Sequence, residues 1–461
     1  MRSVLLINPS WRKKRDSIWS KISSVSPPIG LASIASFLEN RGVRVSVLDM
    51  NALKLSPSNL PEIQELTGYD VVGISCTTPL IAESSEIVEI LRKIIPPGST
   101  IVLGGVHPTV APEECIMIEG VDYVARGEGE LTMMDIAEEK KPEDILGISY
   151  VKNGRIVHNK PRPFIKDLDE LPLPAYHMLP MQAYRPALGA FKQLPGIGII
   201  TSRGCPGRCT FCYRMFGNRL RLRSADSIIA EVNLLHRKHN IREISFYDDT
   251  FTASRKRVMN ICDALSEQRI GISWSCFARV DCVDQEMLYR MKESGCHQVM
   301  YGIESASEEI LKNINKRTDL KKALDAVKWT KRAGIDVRAA FMLGNPGETE
   351  ETLEKTYQLA VRMAPELVIF NITTPFPGTE MFEWAKKNDY LLSEDWRDYD
   401  LAHPVMNLPG ISSERIRDAY HEMYRRFYRR PGYVVKRLRT LTSWLQIKTA
   451  LKAFVSIVGI R

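Results

Sequence analysis

The stretch Gly204–Tyr213, GCPGRCTFCY, places three cysteines, Cys205, Cys209 and Cys212, within eight residues. Zinc fingers and ribbons pair two C-x2-4-C units across a longer gap, and C-x3-C-x2-C stands alone in this chain. Three thiolates on a short loop that contains Gly and Pro can instead hold three corners of a cubane iron–sulfur cluster. One iron then stays open to a substrate or cofactor, as the open position of a catalytic zinc site does.

Strand and helix patterns alternate on both sides of this loop. From Gly196 onward, six short apolar runs with intervening helical patterns predict six β/α units, three-quarters of an eight-unit barrel. The cysteines follow the first of these strands, at the end of the barrel where the chemistry sits. The first 150 residues also alternate strands with helices, which predicts a parallel, Rossmann-like sheet. We therefore expect an α/β protein with a front domain at 1–150, a linker at 151–190, a partial (β/α)6 TIM-type barrel at 191–390 and a small helical, basic region at 391–461.

The composition of the chain indicates the cellular compartment in which it works. The chain has 461 residues, of which 44% are hydrophobic and 26% are charged, and it contains no apolar run of the roughly 18 residues that a membrane span needs. Nine cysteines without an export signal predict a reducing, cytoplasmic location. A disulfide framework is therefore a poor explanation of the cysteine loop.

The net charge of +8 belongs to the tail, since Glu414–Arg461 contains 12 Lys and Arg against 3 Asp and Glu. These basic residues alternate with aromatic and aliphatic ones. The pattern predicts an amphipathic element that binds anionic lipid peripherally at the inner membrane face. Contact with nucleic acid phosphate, and a helical cap with a solvated basic face, are the alternatives.

Small and polar residues follow the predicted strands of the front domain, where parallel sheets bind ligands. Such residues let a backbone approach a flat ligand closely, although they also form ordinary tight turns. The candidate ligand-binding residues are Asn8, Pro9, Ser75, Thr77, Gly104, Gly105, His107, Gly127 and Glu128.

The C-x3-C-x2-C loop resembles the signature of the radical S-adenosylmethionine (radical SAM) superfamily. The resemblance implies that Cys205, Cys209 and Cys212 bind a [4Fe–4S] cluster whose open iron is chelated by the amine and carboxylate of S-adenosylmethionine. One electron from the cluster then cleaves this cofactor to a 5′-deoxyadenosyl radical. Further cofactor contacts are implied for Phe211, for Asp248 and Asp249 in FYDDTFT, for Glu304 and Ser305 in GIES, and for Gly344, Asn345 and Pro346 in FMLGNPGET. Helix capping or ion pairing is the competing explanation for the three acidic residues.

The front domain adds a second resemblance. PPIGLASIASFLENRG, GGVHPT and RGEGE resemble the radical SAM class that carries a Rossmann-like, flavodoxin-like cobalamin-binding domain, and the two resemblances cover residues 1 to about 390. Cobalamin is thus the ligand implied for the strand-end residues. None of the eight histidines lies in a D-x-H-x-x-G motif, so we expect base-off cobalamin without an axial histidine. His107 is expected at a turn or at the corrin edge.

The resemblance implies a reaction with two cofactors. In this class one S-adenosylmethionine methylates cobalamin, and a second yields the radical that takes a hydrogen from an unactivated carbon, which then gains the methyl group. We expect a C-methyltransferase that acts on a small-molecule, lipid or natural-product substrate, with flavodoxin or ferredoxin as electron donor. The alternative within the class is cyclisation or rearrangement without methyl transfer, as in the oxygen-independent cyclase of bacteriochlorophyll synthesis.

Two other functions fit the sequence less well. A cobalamin-free radical enzyme acting on nucleic acid would need a second cysteine triad upstream or an RNA-binding appendix, and only Cys76 and Cys115 occur upstream. A redox or metal-sensing module leaves the six β/α units with polar strand ends unexplained. The sequence assigns no catalytic residue, and it leaves open whether Cys276 or Tyr301 donates a proton or a hydrogen atom.

Overall fold

The computed structural model describes residues 1–11, 24–187 and 189–440, with side chains described up to residue 436. The front part is one seven-stranded sheet. Its strands are β1 Val4–Asn8, β2 Val45–Asp49, β3 Val71–Ser75, β4 Thr100–Gly104, β5 Tyr123–Ala125, β6 Ile148–Lys152 and β7 Arg155–His158. The order is β2-β1-β3-β4-β5-β6-β7; β1 to β5 are parallel, while β6 and β7 are antiparallel. The parallel part has the flavodoxin-like order that the sequence predicted.

Helices cover both faces of this sheet, which explains the continuous apolar runs in its strands. They are α1 Ile29–Glu39, α2 Met50–Leu53, α3 Ile81–Ile94, α4 Val106–Val110, α5 Pro112–Ile116 and α6 Glu130–Ala137. Leu6 and Val71 pack in a core with α1 and α6, whereas Ile7 and Val72 pack on the opposite face with α3. The loops at the carboxyl ends of β1 to β5 therefore share one edge of a rigid layer.

The chain between the hairpin and the barrel is fastened to both parts. Strands β6 and β7 form a hairpin. It turns at Asn153 and Gly154, whose φ angles of 52° and 75° suit a type I′ turn. Downstream, the buried Tyr176 donates a hydrogen bond to Glu231 of the barrel, and the buried Tyr184 donates one to Asp49 of the front sheet at 2.8 Å. This Pro-rich segment is thus packed, with single-turn helices, rather than freely extended.

The second part is an open half-barrel, which confirms the predicted partial (β/α)6 fold. Its strands are β8 Gly196–Ile199, β11 Glu243–Phe246, β12 Ser273–Ala278, β13 Cys296–Glu304, β14 Asp336–Leu343 and β15 Leu367–Ile372; a small ribbon, β9 Ser202–Arg203 and β10 Arg221–Leu222, follows β8. The six barrel strands are parallel in the order β15-β14-β13-β12-β11-β8. Because β8 and β15 are the two edges, the lumen is not closed by hydrogen bonding between them.

Eight helices surround and follow these strands, and each begins at a capping side chain. They are α7 Ala225–His239, α8 Arg255–Gln268, α9 Gln285–Glu293, α10 Glu308–Asn313, α11 Leu320–Arg332, α12 Glu350–Met363, α13 Glu380–Lys387 and α14 Ser413–Tyr428; α15 Pro431–Thr440 comes last. The residue before each of α7 to α14 is Ser, Thr or Asp, and its side chain accepts a hydrogen bond from a first-turn N–H. The short α10 had not been predicted.

The start of the basic tail is part of the barrel. The Tyr424 hydroxyl accepts a hydrogen bond from Phe370 N at 3.1 Å and donates to Phe370 O at 3.0 Å. The Tyr428 hydroxyl does the same with Val368, at 3.0 and 2.8 Å. Two tyrosines of α14 thus form hydrogen bonds with backbone N–H and C=O groups at the free edge of β15, which would otherwise stay unpaired.

Several tail cations are also paired within the structure. Arg415 pairs with Glu350 at 2.6 Å, Arg426 with Glu354 at 2.8 Å and Lys436 with Glu366 at 2.6 Å. These three pairs anchor the tail to α12 and to the residue before β15. Part of the positive charge of the tail is therefore neutralised locally. The rest of the predicted lipid-binding element, residues 441–461, lies outside the described residues. No helix in the described ranges is long and apolar enough to cross a membrane.

Candidate active site at the barrel mouth

The loop that carries the three cysteines is fixed by its neighbours. Gly204 has a φ of 92°, and a Cβ there would lie 2.3 Å from Arg219 O, so the loop requires glycine at its start. Thr210 N donates to Ile314 O at 3.0 Å, and Met381 N donates to Thr210 O at 2.9 Å. These bonds hold the loop between the chain after α10 and the start of α13, at the carboxyl end of the barrel.

The three thiols fit a cluster and not a single metal ion. Cys205 and Cys209 are half-buried, Cys212 is exposed, and all three are free. In the described part of the chain no three Cys, His, Asp or Glu side chains are placed to bind one ion. In a cubane cluster each thiolate binds a different iron. Loss of solvent raises the pKa of Cys209. Cys212 keeps an exposed surface, but nearby protein displaces part of its water, and this effect, followed by the Asp249 charge, raises its pKa to about 11. Iron must displace these protons when it binds.

Two cations lie close enough to act on the cysteine loop. The charges of Lys316 and Arg279 both favour the thiolate form of Cys209. Lys316 Nζ pairs with Glu304 Oε1 at 2.8 Å, and both side chains are largely buried. Burial alone would lower the pKa of Lys316, but the charges of Glu304 and Cys209 outweigh it and raise that pKa. A permanent positive charge therefore stands beside thiolates that carry negative charge.

Glu304 and Phe211, two predicted cofactor residues, come together at Lys316. Glu304 is the last residue of β13 and has a φ of 69°, where the register with β14 shifts. A Cβ at Gly302 would lie 2.4 Å from Glu304 Oε1, so glycine makes room for the ion pair. The Phe211 ring centroid lies 6.0 Å from Lys316 Nζ. A left-handed non-glycine residue at a strand end is typical of a functional site.

The adjacent aspartates after β11 have different surroundings. Asp248 is buried and accepts hydrogen bonds from Thr201 N at 2.6 Å, Thr201 Oγ1 at 2.7 Å and Ser202 N at 3.1 Å. It therefore holds the chain that leads into the cysteine loop. The surface of Asp249 is exposed, but the protein around it displaces part of its water; this partial loss of solvent, followed by the charge of Asp248, raises the pKa of Asp249. Of the two carboxylates, that of Asp249 is open to a ligand.

The other residues predicted to bind S-adenosylmethionine have side chains engaged within the protein. Ser305 Oγ is buried 3.4 Å from Thr356 Oγ1. In the turn Gly344–Pro346 after β14, Asn345 Oδ1 accepts a hydrogen bond from Thr373 Oγ1 at 3.0 Å. This turn presents backbone, rather than a free side chain, at the barrel mouth.

Cys276 and Tyr301 face away from the lumen. Both are buried in the core that the barrel strands share with the surrounding helices. The Tyr301 hydroxyl forms a hydrogen bond with Thr330 Oγ1 of α11 at 2.8 Å. Neither group is presented to a ligand inside the barrel.

Glu128, predicted as a ligand-binding residue, links the front sheet to the cysteine loop. Its carboxylate accepts hydrogen bonds at 2.8 Å from each of Arg203 Nη1, Arg221 Nη1 and Ile165 N. Arg203, two residues before the first cysteine, also pairs with Glu130 at 2.5 Å. All four charged side chains are largely buried. Neither arginine is predicted from the sequence, because the only signal is their position on either side of the cysteine loop.

His107 is fully buried after β4. Its Nδ1 lies 3.3 Å from Thr78 Oγ1, its Nε2 lies 3.6 Å from Glu114 Oε2, and its ring centroid lies 5.3 Å from that of Trp396. Interaction with His107, ahead of the Trp396 N–H, holds the pKa of Glu114 below its usual value. The imidazole is thus enclosed by protein groups on several sides.

The remaining strand-end residues form a compact edge. Gly105 has a φ of 103°, and a Cβ there would lie 2.6 Å from Cys76 O, so only glycine fits. Asn8 Nδ2 donates to Asp49 Oδ1 at 2.8 Å, while nothing lies within 4 Å of a Cβ at Gly127. Along the same edge are Pro9, Ser75, Thr77 and Gly104. Their small size leaves backbone accessible, which suits a flat macrocycle.

The two strand-end edges adjoin each other. Gly378, after β15, lies between Val110 of α4 and Tyr213 of the cysteine loop, because a Cβ there would lie 2.6 and 3.2 Å from their side chains. A cavity of about 310 Å³ opens at this junction; its lining includes Cys209, Cys212, Tyr213, Arg214, Gly378 and Thr379. A ligand on the front sheet and a cluster on the cysteine loop would therefore be neighbours.

Comparison with known proteins gives a consistent result. Residues 199–360 match the radical SAM superfamily, and residues 17–137 match the B12 binding domain. The chain is 36% identical to an uncharacterized methyltransferase of Pyrococcus horikoshii, over 95% of this chain and 94% of the relative. It is 27% identical to an anaerobic magnesium-protoporphyrin IX monomethyl ester cyclase of Rubrivivax gelatinosus, over 94% and 78%. The solved structure of the cobalamin-dependent S-adenosylmethionine radical enzyme OxsB, at 18% identity, superimposes with a TM-score of 0.78 over 99% of this chain and 72% of that one.

This chain belongs to the radical SAM enzymes that carry a B12-binding domain. Its cofactors are accordingly a [4Fe–4S] cluster, S-adenosylmethionine and cobalamin. Enzymes of this kind act on small molecules and need a reductant. The predicted family and cofactors are therefore confirmed, and the similarity to OxsB supports the fold.

Proposed function

We propose that this enzyme transfers a methyl group to an unactivated carbon of a small-molecule substrate. The observation that carries the proposal is the junction of the two strand-end edges, where the cysteine loop, α4 and Gly378 meet. A substrate at this junction lies between the front sheet and the barrel mouth. When bound, S-adenosylmethionine supplies the radical and cobalamin supplies the methyl group. The methyltransferase name of the Pyrococcus relative supports this reaction.

The residues have separate tasks in the proposed site. Three cysteines hold the cluster, and Lys316 offsets their negative charge. Asp249, Glu304, Phe211 and the backbone of Gly344–Pro346 orient S-adenosylmethionine at the barrel mouth. Asp248 acts through the loop and not on the cofactor, since its oxygens are occupied by Thr201 and Ser202.

Cobalamin is proposed to lie on the edge of the front sheet. The small residues there let the backbone approach the corrin, and His107 contributes packing beneath the loops instead of a metal ligand. The contacts of the His107 ring with Thr78 and Trp396 support that role. Glu128 does not contact the corrin in this proposal; it positions the cysteine loop through Arg203 and Arg221.

The test uses enzyme purified and reconstituted without oxygen. Iron, sulfide and cobalt are counted per chain, and S-adenosylmethionine with a deuterated methyl group is supplied with reductant. We expect about four irons and one cobalt per chain, label on the bound corrinoid, and release of 5′-deoxyadenosine. Absence of label on the corrinoid would contradict a methyltransferase.

Cyclisation or rearrangement is the second candidate, supported by the cyclase name of the Rubrivivax relative. It predicts 5′-deoxyadenosine without any transfer of label. The same experiment therefore separates the two reactions, once small-molecule extracts are added and their products are examined by mass spectrometry.

We further infer that flavodoxin or ferredoxin supplies the electron, and that the tail touches an anionic membrane, which suits a lipid substrate. The tail inference is supported by residues 441–461, which contain three basic and no acidic residues among many apolar ones. Nucleic acid is not the expected substrate, because the front domain lacks a second cysteine triad.

A further inference from the structure

Arg338 lies inside the half-barrel. Its neighbours on β14, Val337 and Ala339, are fully buried in the core shared with the outer helices. Successive side chains of a strand point to opposite faces, so Arg338 and Ala340 face the lumen. Pairing with Met300 of β13 and Leu367 of β15 places Arg338 in the lower half of the strand, below the cysteine loop.

No group in the described part of the chain pairs with this guanidinium: it makes neither a hydrogen bond nor an ion pair there. Burial lowers the pKa of Arg338, and the groups that oppose this effect are the hydroxyls of Tyr247, Tyr428 and Tyr424, with no carboxylate among them. Arg338 as a whole residue is half-buried, so its guanidinium is open to the lumen and can pair with a ligand there. An unpaired arginine in a lumen is therefore expected to have a partner from outside the chain.

The lumen above Arg338 is lined by small side chains. Ala340 is the next lumen-facing residue on β14, and Gly302 is paired with it on β13. One level higher, Asn371 is paired with Met342, and its buried Oδ1 accepts no hydrogen bond within the described residues. An unused acceptor above an unused cation suggests one polar ligand that contacts both.

Aromatic side chains form the opposite wall. A Cβ at Gly198 would lie 2.3 Å from the Tyr247 ring, so glycine allows this ring to lie across β8. The ring stacks on Phe277, with centroids 5.6 Å apart and planes at 19°. Tyr247 also interacts electrostatically with Arg338, so the guanidinium and the aromatic stack face the same space.

We propose that Arg338 binds an anionic group of the substrate, a carboxylate or a phosphate-type group, inside the barrel. The inference rests on the proposed function, because it assigns a substrate class to the same site. Arginine binds such groups through two parallel hydrogen bonds. The anion is held low in the lumen, the substrate carbon skeleton lies beside Tyr247 and Phe277, and its reactive carbon faces the barrel mouth.

The carboxylate of S-adenosylmethionine is the other source of the same chemistry. Lys316 and Arg279 already act on Cys209 at the cysteine loop, where that carboxylate would bind. Arg338 is five residues below the end of β14 at Leu343, about 16 Å along the strand at roughly 3.3 Å per residue. The cofactor therefore has nearer cations than Arg338.

The test measures binding to reconstituted holoenzyme by calorimetry, without turnover. The probes are benzoate, phenylphosphonate, the neutral benzamide and S-adenosylhomocysteine. Arg338→Gln removes the charge, Arg338→Lys keeps it without the paired geometry, and Arg332→Gln, on the exposed end of α11, is the matched control. We expect Arg338→Gln to bind the two anions about tenfold to a hundredfold more weakly, Arg338→Lys to be intermediate, and the control to match the parent enzyme.

These binding measurements can fail independently of the methyl-transfer proposal, because none of them depends on the formation of a reaction product. Equal binding of benzamide and benzoate by the parent enzyme, or unchanged anion binding by Arg338→Gln, would overturn the inference. An equal loss of S-adenosylhomocysteine affinity would assign Arg338 to the cofactor and also overturn it. Unfolding adds a second readout: without ligand, Arg338→Gln should be at least as stable as the parent, since the half-buried guanidinium has no ion-pair partner in the described part of the chain, and a destabilised variant would identify Arg338 as structural.

Discussion

Replacing Glu128 by Gln should uncouple the front sheet from the cysteine loop. The carboxylate serves two arginines and one backbone N–H, and only 4% of its side chain is exposed. Glutamine has one acceptor oxygen and turns an N–H toward a buried guanidinium. Removing one partner of a buried ion pair typically costs about 3–5 kcal/mol, and we expect a loss of that size in the free energy of unfolding.

The matched control is Glu89→Gln. Glu89 pairs with Lys93 at 2.7 Å on α3, but the two side chains are 70% and 67% exposed. An exposed pair contributes roughly 0–1 kcal/mol, so this variant should differ little from the parent. Both variants remove one carboxylate charge, which separates local ion pairing from net charge.

Two assays distinguish stability from site geometry. Urea unfolding followed by circular dichroism gives the free energy, and iron with sulfide per chain reports the cysteine loop. Arg203, two residues before Cys205, keeps only Glu130 as a carboxylate partner in Glu128→Gln, so iron retention should fall as well. Equal stability of Glu128→Gln and Glu89→Gln, with full iron content in both, would refute the reasoning.

Three further changes have defined outcomes. Replacing any of the three cluster cysteines by Ala should abolish iron–sulfur absorbance and 5′-deoxyadenosine formation, and a triple variant that still forms this product would exclude the assignment. His107→Ala should leave the cobalt paramagnetic resonance unchanged because the ring is buried against Trp396; nitrogen splitting that disappears in the variant would identify an axial ligand. Truncation after Thr440 removes three basic residues, worth about 1 kcal/mol each at an anionic surface, so it should weaken co-sedimentation with anionic vesicles about a hundredfold at low salt. Equal sedimentation of both forms would rule out the tail as the lipid contact.

Features with local signals were predicted from the sequence. Apolar runs predict the strands, and the helical patterns between them correspond to helices such as Arg255–Gln268, Gln285–Glu293 and Glu380–Lys387. Each follows a Ser, Asp or Thr that caps its first turn. The cysteine loop was found because its three ligands lie within one short segment.

Features that depend on distant partners were not predicted. Asp248 follows a barrel strand, as a cofactor ligand would, but its oxygens bind Thr201, 47 residues earlier. Glu128 likewise binds Arg203, 75 residues later. In the sequence, a strand-end carboxylate that binds a cofactor cannot be distinguished from one that binds another part of the chain. The packing between domains decides which partner reaches it. A role for Arg338 is not predicted from its apolar run, since the lack of a paired carboxylate depends on the packing of the folded chain.

The tyrosines that cover β15 also set the order of events while the chain is being made. Tyr428 follows Val368 by 60 residues, and Tyr424 follows Phe370 by 54. At a synthesis rate of about 5–20 residues per second, the strand leaves the ribosome roughly 3–12 seconds before the helix that covers it. During that interval its backbone N–H and C=O groups can pair with an exposed strand of another nascent chain. Slow translation between residues 372 and 413 should therefore lower the yield of active enzyme without altering its sequence, and a nascent-chain chaperone should restore that yield.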